Sequence, residues 1–331
     1  MKKNSNLLIL ALLAIGMGLT SCEGALDDIL GEWSRPTPGN VTPGTDEGEV
    51  TSIEVDLSKI DAKYLDSEKT KLQLTVGDEV TLSFTILPEE MASTEVELTA
   101  TDATILSIDG LKVKALKAGE TKVTAKAGDK TAECTVTVTL AYPIALSAVT
   151  ADYLGSVVCS DGNVYPAKTA VPSGKTAVGI LGMVTTKGHG LILALQNATS
   201  QTWNTINSWT SVTSADTYAG TTLKVLPDGA RGSLANYTTL GDFPVSGWAV
   251  AQNSDYEAIF TNLGSTTDNN GKTYDANVNA YITTGVGGTA ISGKCWSATE
   301  DNNSHALAFG SDYWWGTIKS SSESIRPVLG F

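Results

Sequence analysis

Only two histidines, His189 and His305, occur in 331 residues, too few for most metal centres or acid–base arrangements. Cysteine is nearly as scarce. Cys22, Cys134, Cys159 and Cys295 include no close pair and no Cys-x-x-Cys, so no disulfide scaffold holds this chain. Basic residues are outnumbered, 22 against 36 acidic ones, for a formal net charge of -14. Without clustered Lys and Arg the chain has little to neutralise phosphates, which disfavours nucleic acid and anionic lipid as partners. Long apolar runs are missing too. The run Leu7 to Leu19 has 13 residues, whereas a hydrocarbon core of about 30 Å needs roughly 20. No Gly-x-Ser-x-Gly elbow is present to place a nucleophile, and no motif calls for a cofactor or a metal.

What remains is a Gly-, Thr- and Ser-rich chain with 18% charged residues, a texture of secreted β proteins more than of cytosolic helical enzymes. The charge is uneven. Residues 1–45 carry -1 (3 basic, 4 acidic), 46–139 carry -9 (10 basic, 19 acidic) and 140–331 carry -4 (9 basic, 13 acidic). The start combines Lys2 and Lys3, the apolar run, and Leu19-Thr20-Ser21-Cys22. It resembles a bacterial lipoprotein signal peptide over residues 1–21. That resemblance implies that Cys22 becomes the first mature residue, carries a diacylglycerol, and tethers the protein to the outer membrane. Glu23, Asp27 and Asp28 also resemble the export signal that moves lipoproteins to the outer face in Bacteroides-type Gram-negative bacteria; solvated linker charge is the other reading. Residues 22–50, with Pro36, Pro38 and Pro43 and no sustained apolar period, read as a disordered spacer.

From Thr51 to Thr139 short alternating runs appear: Leu72, Leu74 and Val76; then Val80, Leu82, Phe84 and Ile86; later Val123, Ala125 and Ala127; and finally Cys134, Val136 and Val138. Gly77-Asp78 and Gly128-Asp129 punctuate them, and period-2 runs at such spacing predict a β-sandwich with Cys134 facing the core. The string LQLTVGDEVTLSFTILPEE and the stretch VELTATDATILSIDGLKVKALKAGETKVTAKAGDKTAECTVTV resemble a group 2 bacterial immunoglobulin-like domain. Leu98 stands where that family often has Trp. Such modules mostly serve as stalks and spacers, and the carboxylates here form no cluster.

Residues 142–331 carry six of the seven tryptophans: Trp203, Trp209, Trp248, Trp296, Trp314 and Trp315. Val157 to Cys159 and Val164-Tyr165 flank Asp161-Gly162, a hairpin signal. The stretch Ser254 to Leu263 predicts a helix capped by Ser254 and Glu257. The motifs GSVVCSDGNVYP (155–166), GWAVAQNSDYEAI (247–259) and CWSATEDNNSHALAFG…IRPVLGF (295–310, 325–331) resemble a C-type-lectin-like domain common in bacterial surface lipoproteins. The middle motif departs from the family's usual Trp-aromatic-Leu-Pro-Ser, and residues 167–240 match poorly. The expected fold is therefore mostly β with two domains, an Ig-like β-sandwich at 51–139 followed by an α+β C-type-lectin-like domain at 142–331.

Site expectations follow from residue type. Cys159 and Cys295 are the one pairing available inside a single domain, with buried free thiols as the alternative. His189, in Lys187-Gly188-His189-Gly190, reads as a hydrogen-bonding turn residue, and His305 as part of a polar loop. Asp268-Asn269-Asn270 and Asp301-Asn302-Asn303 lack the spacing of a Ca²⁺ loop and read as turns. Glu300 and Arg326 are expected to form an internal salt bridge beside a core Trp296. Trp314 and Trp315 point to opposite faces if they lie on a strand, so at least one is a candidate for exposure and for ligand binding. Together these features predict a cell-surface recognition protein, an adhesin whose Ig-like stalk presents a domain for carbohydrate binding or for an extracellular protein. The alternative is an extracytoplasmic enzyme on a C-type-lectin-like scaffold, as in sulfatase-modifying oxidases.

Overall fold

The computed structural model describes residues 48–213, 220–266, 273–311 and 314–331. Cys22, the signal segment, nearly all of the spacer, Asp268-Asn269-Asn270 and Asp312-Tyr313 lie outside the described residues. The chain is mostly β, and among the described residues no helix is long and apolar enough to cross a membrane.

Up to Thr139 the strands build an Ig-like β-sandwich. One sheet runs in the order Leu72–Thr75, Lys130–Thr139, Gly119–Ala127, Glu97–Ala100, and the other is Glu79–Thr81, Lys112–Ala115, Leu106–Asp109. The alternation in sequence becomes alternation in burial: Leu72, Leu74, Val123, Val136 and Val138 turn inward against Val80, Leu106 and Val113. Each such side chain contributes about 1.5–3 kcal/mol by leaving water. Cys134 shares that inward phase at 4% exposure, and Leu98 fills its core slot at 8%. The run from Val80 to Ile86 does not form one strand, however. Glu79–Thr81 pairs with Lys112–Ala115, whereas Phe84–Leu87 pairs with Ser52–Val55. The chain changes sheets at Leu82-Ser83, and Leu82 stays buried through the change. Period-2 patterning is blind to such a switch, because the alternation continues across it. Charged side chains line the outside: Glu79 reaches Lys112 at 3.6 Å and Lys114 at 3.0 Å, and Lys122 reaches Glu133 at 2.7 Å. All are solvent-exposed pairs worth about 0–1 kcal/mol.

Beyond Ile144 two larger sheets and a two-stranded ribbon, Thr239–Leu240 with Phe243–Pro244, form, and among the described residues none of their strands pairs with a strand of the sandwich. The larger runs in the order Ile144–Ala145, Asn163–Tyr165, Val157–Cys159, Ala177–Val184, Gly190–Ala194, Val328–Gly330, Trp248–Val250, Thr222–Val225, Ser211–Thr213. Its centre is buried on both faces, which is why Leu191 to Leu195 reads as an unbroken apolar run and not as an alternation. The smaller sheet runs Ala198–Thr202, Ser322–Ile325, Cys295–Glu300, His305–Phe309, Trp314–Ile318. These sheets and two helices, Asn253–Asn262 and Ala276–Thr283, enclose a single apolar core.

The hairpin expected at Asp161-Gly162 is present, with Val157 opposite Tyr165 and Val158 opposite Val164. Gly162 has φ +77, and a Cβ there would meet the Leu240 carbonyl oxygen at 2.6 Å, so both conformation and space demand glycine. The helix cap differs from expectation. Gln252 occupies the N-cap, its backbone N–H donates to Asp255 Oδ2 at 3.0 Å, and Thr221 Oγ1 donates to the same oxygen at 2.6 Å. The helix starts earlier than Ser254 because Thr299 Oγ1 accepts the Asn253 N–H at 2.9 Å and donates to Gln252 Oε1 at 2.9 Å. A partner 46 residues away thus sets the boundary. The buried stripe is Tyr256, Ile259, Phe260 and Leu263, the i, i+3, i+4, i+7 spacing of one helical face.

Asp161 locks the first hairpin and gives it a pH signature. Burial alone would raise its carboxyl, but Lys175 Nζ at 2.7 Å, the Tyr165 hydroxyl at 2.9 Å and the Asn163 N–H at 3.1 Å outweigh that and hold it at about 2. Its folded value lies below the unfolded one, so this stability is complete above pH of about 4 and is lost as pH falls toward 2. With partial exposure discounted, the contribution is about 1–2 kcal/mol. Asp161→Asn is expected to lose that amount at pH 7 and only about a third of it at pH 2.5, read from urea midpoints at both pH values. An equal loss at both would show that the carboxylate's charge is irrelevant.

Candidate functional site

Trp314 and Trp315 begin the outermost strand of the five-stranded sheet; they lie on a strand edge, not in the loop that the neighbouring Gly and Ser residues suggest. Antiparallel pairing sets Trp314 opposite Phe309 and Trp315 opposite Ala308. Successive side chains on a strand face opposite ways, and here the two rings divide their roles. Trp314 stands edge-on to the fully buried Phe309, ring centroids 5.4 Å apart at 69°, and packs against the core. Trp315 remains half-buried over the small Ala308, with Lys294 Nζ 4.2 Å from its ring centroid, a cation–π contact worth about 0.5–1 kcal/mol at a partly exposed site. Neither ring is fully exposed. Further along the strand Gly316 is open and Ile318 is 54% exposed.

The edge is held by an ion pair that differs from the expected one. Glu300 pairs with Lys319, whose ammonium also donates to the Asn303 carbonyl at 3.2 Å and lies 4.8 Å from the Trp203 ring centroid. Glu300 does not reach Arg326. The parallel register places Cys295 beside Ser324, which leaves Glu300 three residues, or about 10 Å, past the level of Arg326. Arg326 is instead wholly buried and donates from Nη1 to the Ala194 carbonyl at 3.1 Å and from Nη2 to the Thr289 carbonyl at 2.8 Å. Burial lowers its guanidinium to about 10. Trp296 is in the core as expected, its indole N–H donating to the Gln201 carbonyl at 2.9 Å.

Cys134, Cys159 and Cys295 are all free and buried. The expected Cys159–Cys295 pairing is absent and the buried free-thiol reading holds: both thiols are free, Cys159 on the larger sheet and Cys295 on the smaller. Burial pushes the Cys159 thiol up to about 11 and the Cys295 thiol up to about 12, so neither is a thiolate at neutral pH. His189 Nδ1 lies 3.2 Å from the Phe331 carbonyl and ties the chain end to the turn before Gly190–Ala194. His305 opens a strand, with Nδ1 2.9 Å from Ser304 Oγ and 3.3 Å from Asn302 Oδ1. Asn302 Oδ1 accepts the N–H groups of Ser304 and His305, each at 3.0 Å, and closes the turn. Among the described residues no group of three His, Cys, Asp or Glu side chains is arranged to hold a metal.

Two features at this level are not visible in sequence motifs. Lys294 precedes the Cys-Trp-Ser motif yet meets Trp315 21 residues later, and Tyr237 and Trp248 come together at a cavity of the larger sheet. Both depend on long-range register.

No protein-family model matches the chain, and no curated protein matches it. Among solved structures, a C-terminal 282-residue fragment of intimin in complex with the intimin-binding domain of the translocated intimin receptor is 16% identical over 28% of this chain and 33% of that one, TM-score 0.21. Domains 4 and 5 of the S-layer protein SbsC are 19% identical over 28% of this chain and 53% of theirs, TM-score 0.21. A bacterial Ig-like domain containing GH10 xylanase from termite gut is 21% identical over 23% of this chain and 20% of that one, TM-score 0.19. The chain spans between a fifth and about half of the length of these proteins. At such scores the likeness is local and says nothing of activity or partners.

Proposed function

We propose that this chain is a lipid-anchored outer-membrane protein of the cell surface whose Ig-like module at 51–139 is a stalk. Residues 142–331 then act as a C-type-lectin-like recognition domain for a glycan or an extracellular protein. The observation that carries the reading is the placement of Trp315: a large, half-buried aromatic on an edge strand, beside a cation. Aromatic and cationic side chains in such settings recur as interaction anchors. The enzymatic alternative is weaker, since it needs cysteine chemistry and both thiols of this domain are protonated and separated. A glycan and extracellular-matrix array probed with the full chain tests recognition. Loss of the captured signal in Trp315→Ala supports the reading, and a signal unchanged by that substitution overturns it.

The anchor has its own test. Cys22→Ala is expected to abolish palmitate labelling and membrane retention while leaving thermal unfolding of the folded part unchanged, because the anchor lies upstream of the spacer. Continued partitioning of the variant into membranes would sink the lipoprotein reading.

A further inference from the structure

On the larger sheet, away from the Trp314–Ile318 strand, a small cavity of about 180 Å³ opens between the ends of Ala177–Val184, Gly190–Ala194 and Trp248–Val250. Trp248 and Tyr237 form two of its walls, their rings 6.2 Å apart and inclined at 70°, with Val178, Leu195, Gln196 and Ser233 completing it. The polar atoms of these residues are unequally engaged. The Trp248 indole N–H is spent on the Ala235 carbonyl at 2.9 Å and its ring is only 2% exposed, so it backs the cavity without presenting an open face. The Ser233 hydroxyl donates to Gln196 Oε1 at 2.9 Å, which leaves the Gln196 amide N–H groups as donors at the mouth. The Tyr237 hydroxyl has no hydrogen-bond partner among the described residues, and burial keeps it protonated by raising its pKa. No charged side chain lines the cavity.

We infer that this cavity is a binding site for a single neutral pyranose ring, free or at the end of a glycan. The half-buried Tyr237 ring takes the apolar C–H face of a sugar, while the Tyr237 hydroxyl and Gln196 supply the hydroxyl-matching donors and acceptors around it. The volume accommodates one ring and falls short of the roughly 300 Å³ at which drug-sized sites begin. The uncharged lining disfavours acidic and amino sugars, whose charge would be desolvated without a partner. This site deepens the recognition reading but stands on a different sheet from Trp315, so the two fail separately.

The test is saturation-transfer NMR on the full chain with glucose, galactose, mannose and N-acetylglucosamine, and with glucuronic acid and glucosamine as charged counterparts. At least one neutral sugar is expected to bind in the millimolar range, and the charged ones at least several-fold more weakly. Tyr237→Phe and Gln196→Ala should each weaken that binding roughly three- to tenfold, the worth of one hydrogen bond, with unfolding midpoints unchanged. Trp315→Ala should leave it intact. Methyl glycosides of the bound sugar separate the sources: retained binding indicates a glycan terminus, and lost binding indicates the free sugar. The inference is overturned if no neutral sugar binds, if binding survives both substitutions, or if benzyl alcohol binds as tightly as the best sugar without dependence on Gln196. If Trp315→Ala abolishes array capture while sugar binding here is absent, the surface reading stands and this site does not.

Discussion

Replacing Arg326 by alanine is expected to destabilise the larger domain by about 3–5 kcal/mol, while replacement by methionine costs no more than about 1–2 kcal/mol. The arginine lies wholly within the core and reaches no carboxylate; its Nε has no hydrogen-bond partner among the described residues. Alanine removes the donor from the buried Ala194 carbonyl, at about 1–3 kcal/mol, and from the carbonyl of the exposed Thr289, which water can partly satisfy, and it opens a cavity along the whole side chain. Methionine leaves the same carbonyls unmet but restores most of the volume. It also removes a charge that the core holds at a cost, as the depressed guanidinium shows. Hydrophobic replacements of similar volume at buried charges are often near neutral for this reason. Urea unfolding of the two variants decides the matter: equal losses would mean that the guanidinium's hydrogen bonds dominate and that burying its charge costs little.

Arg326 also marks the limit of reading this chain from its sequence. The partner expected there was Glu300, and the motif Trp-Ser-x-Thr-Glu followed by Arg-Pro made that pairing natural. Strand register decided otherwise, and register is set by contacts far apart in the chain. Local signals fared better. Gly162 supplies the positive φ that a tight hairpin needs, and the strands Gly119–Ala127 and Lys130–Thr139 join at Gly128-Asp129 as their alternation predicts. The phase that buries Cys134 is visible in its own strand, where Cys134, Val136 and Val138 alternate with polar residues. By contrast, the sheet switch after Thr81, the early start of the helix at Asn253 and the pairing of Glu300 with Lys319 each rest on a residue tens of positions away or on which strand is central. At the candidate site, the identity of the two tryptophans was legible and their division of labour was not, because it depends on Phe309 and Ala308 across the pair.

That division gives the second large effect. Trp314→Ala is expected to cost about 2–3 kcal/mol of stability, less than the roughly 3–5 kcal/mol of a fully buried Trp because the ring is half-buried. Its edge-on contact with Phe309 is lost, and Phe309 in turn touches Tyr256, Phe260 and Tyr274, so the loss propagates into the core. Any fall in ligand affinity should follow from unfolding alone and vanish when binding is measured well below the variant's melting temperature. Trp315→Ala should do the reverse. It stands opposite Ala308 and meets Lys294 in a cation–π contact worth about 0.5–1 kcal/mol, so its loss should cost less stability than that of Trp314. Its removal should, however, weaken binding of the ligand returned by the array by roughly 2 kcal/mol or more, about thirtyfold. Melting temperature and affinity measured on the same two variants separate a core ring from a binding ring. Large destabilisation in both would place Trp315 in the core with Trp314 and leave the edge strand without a recognition role.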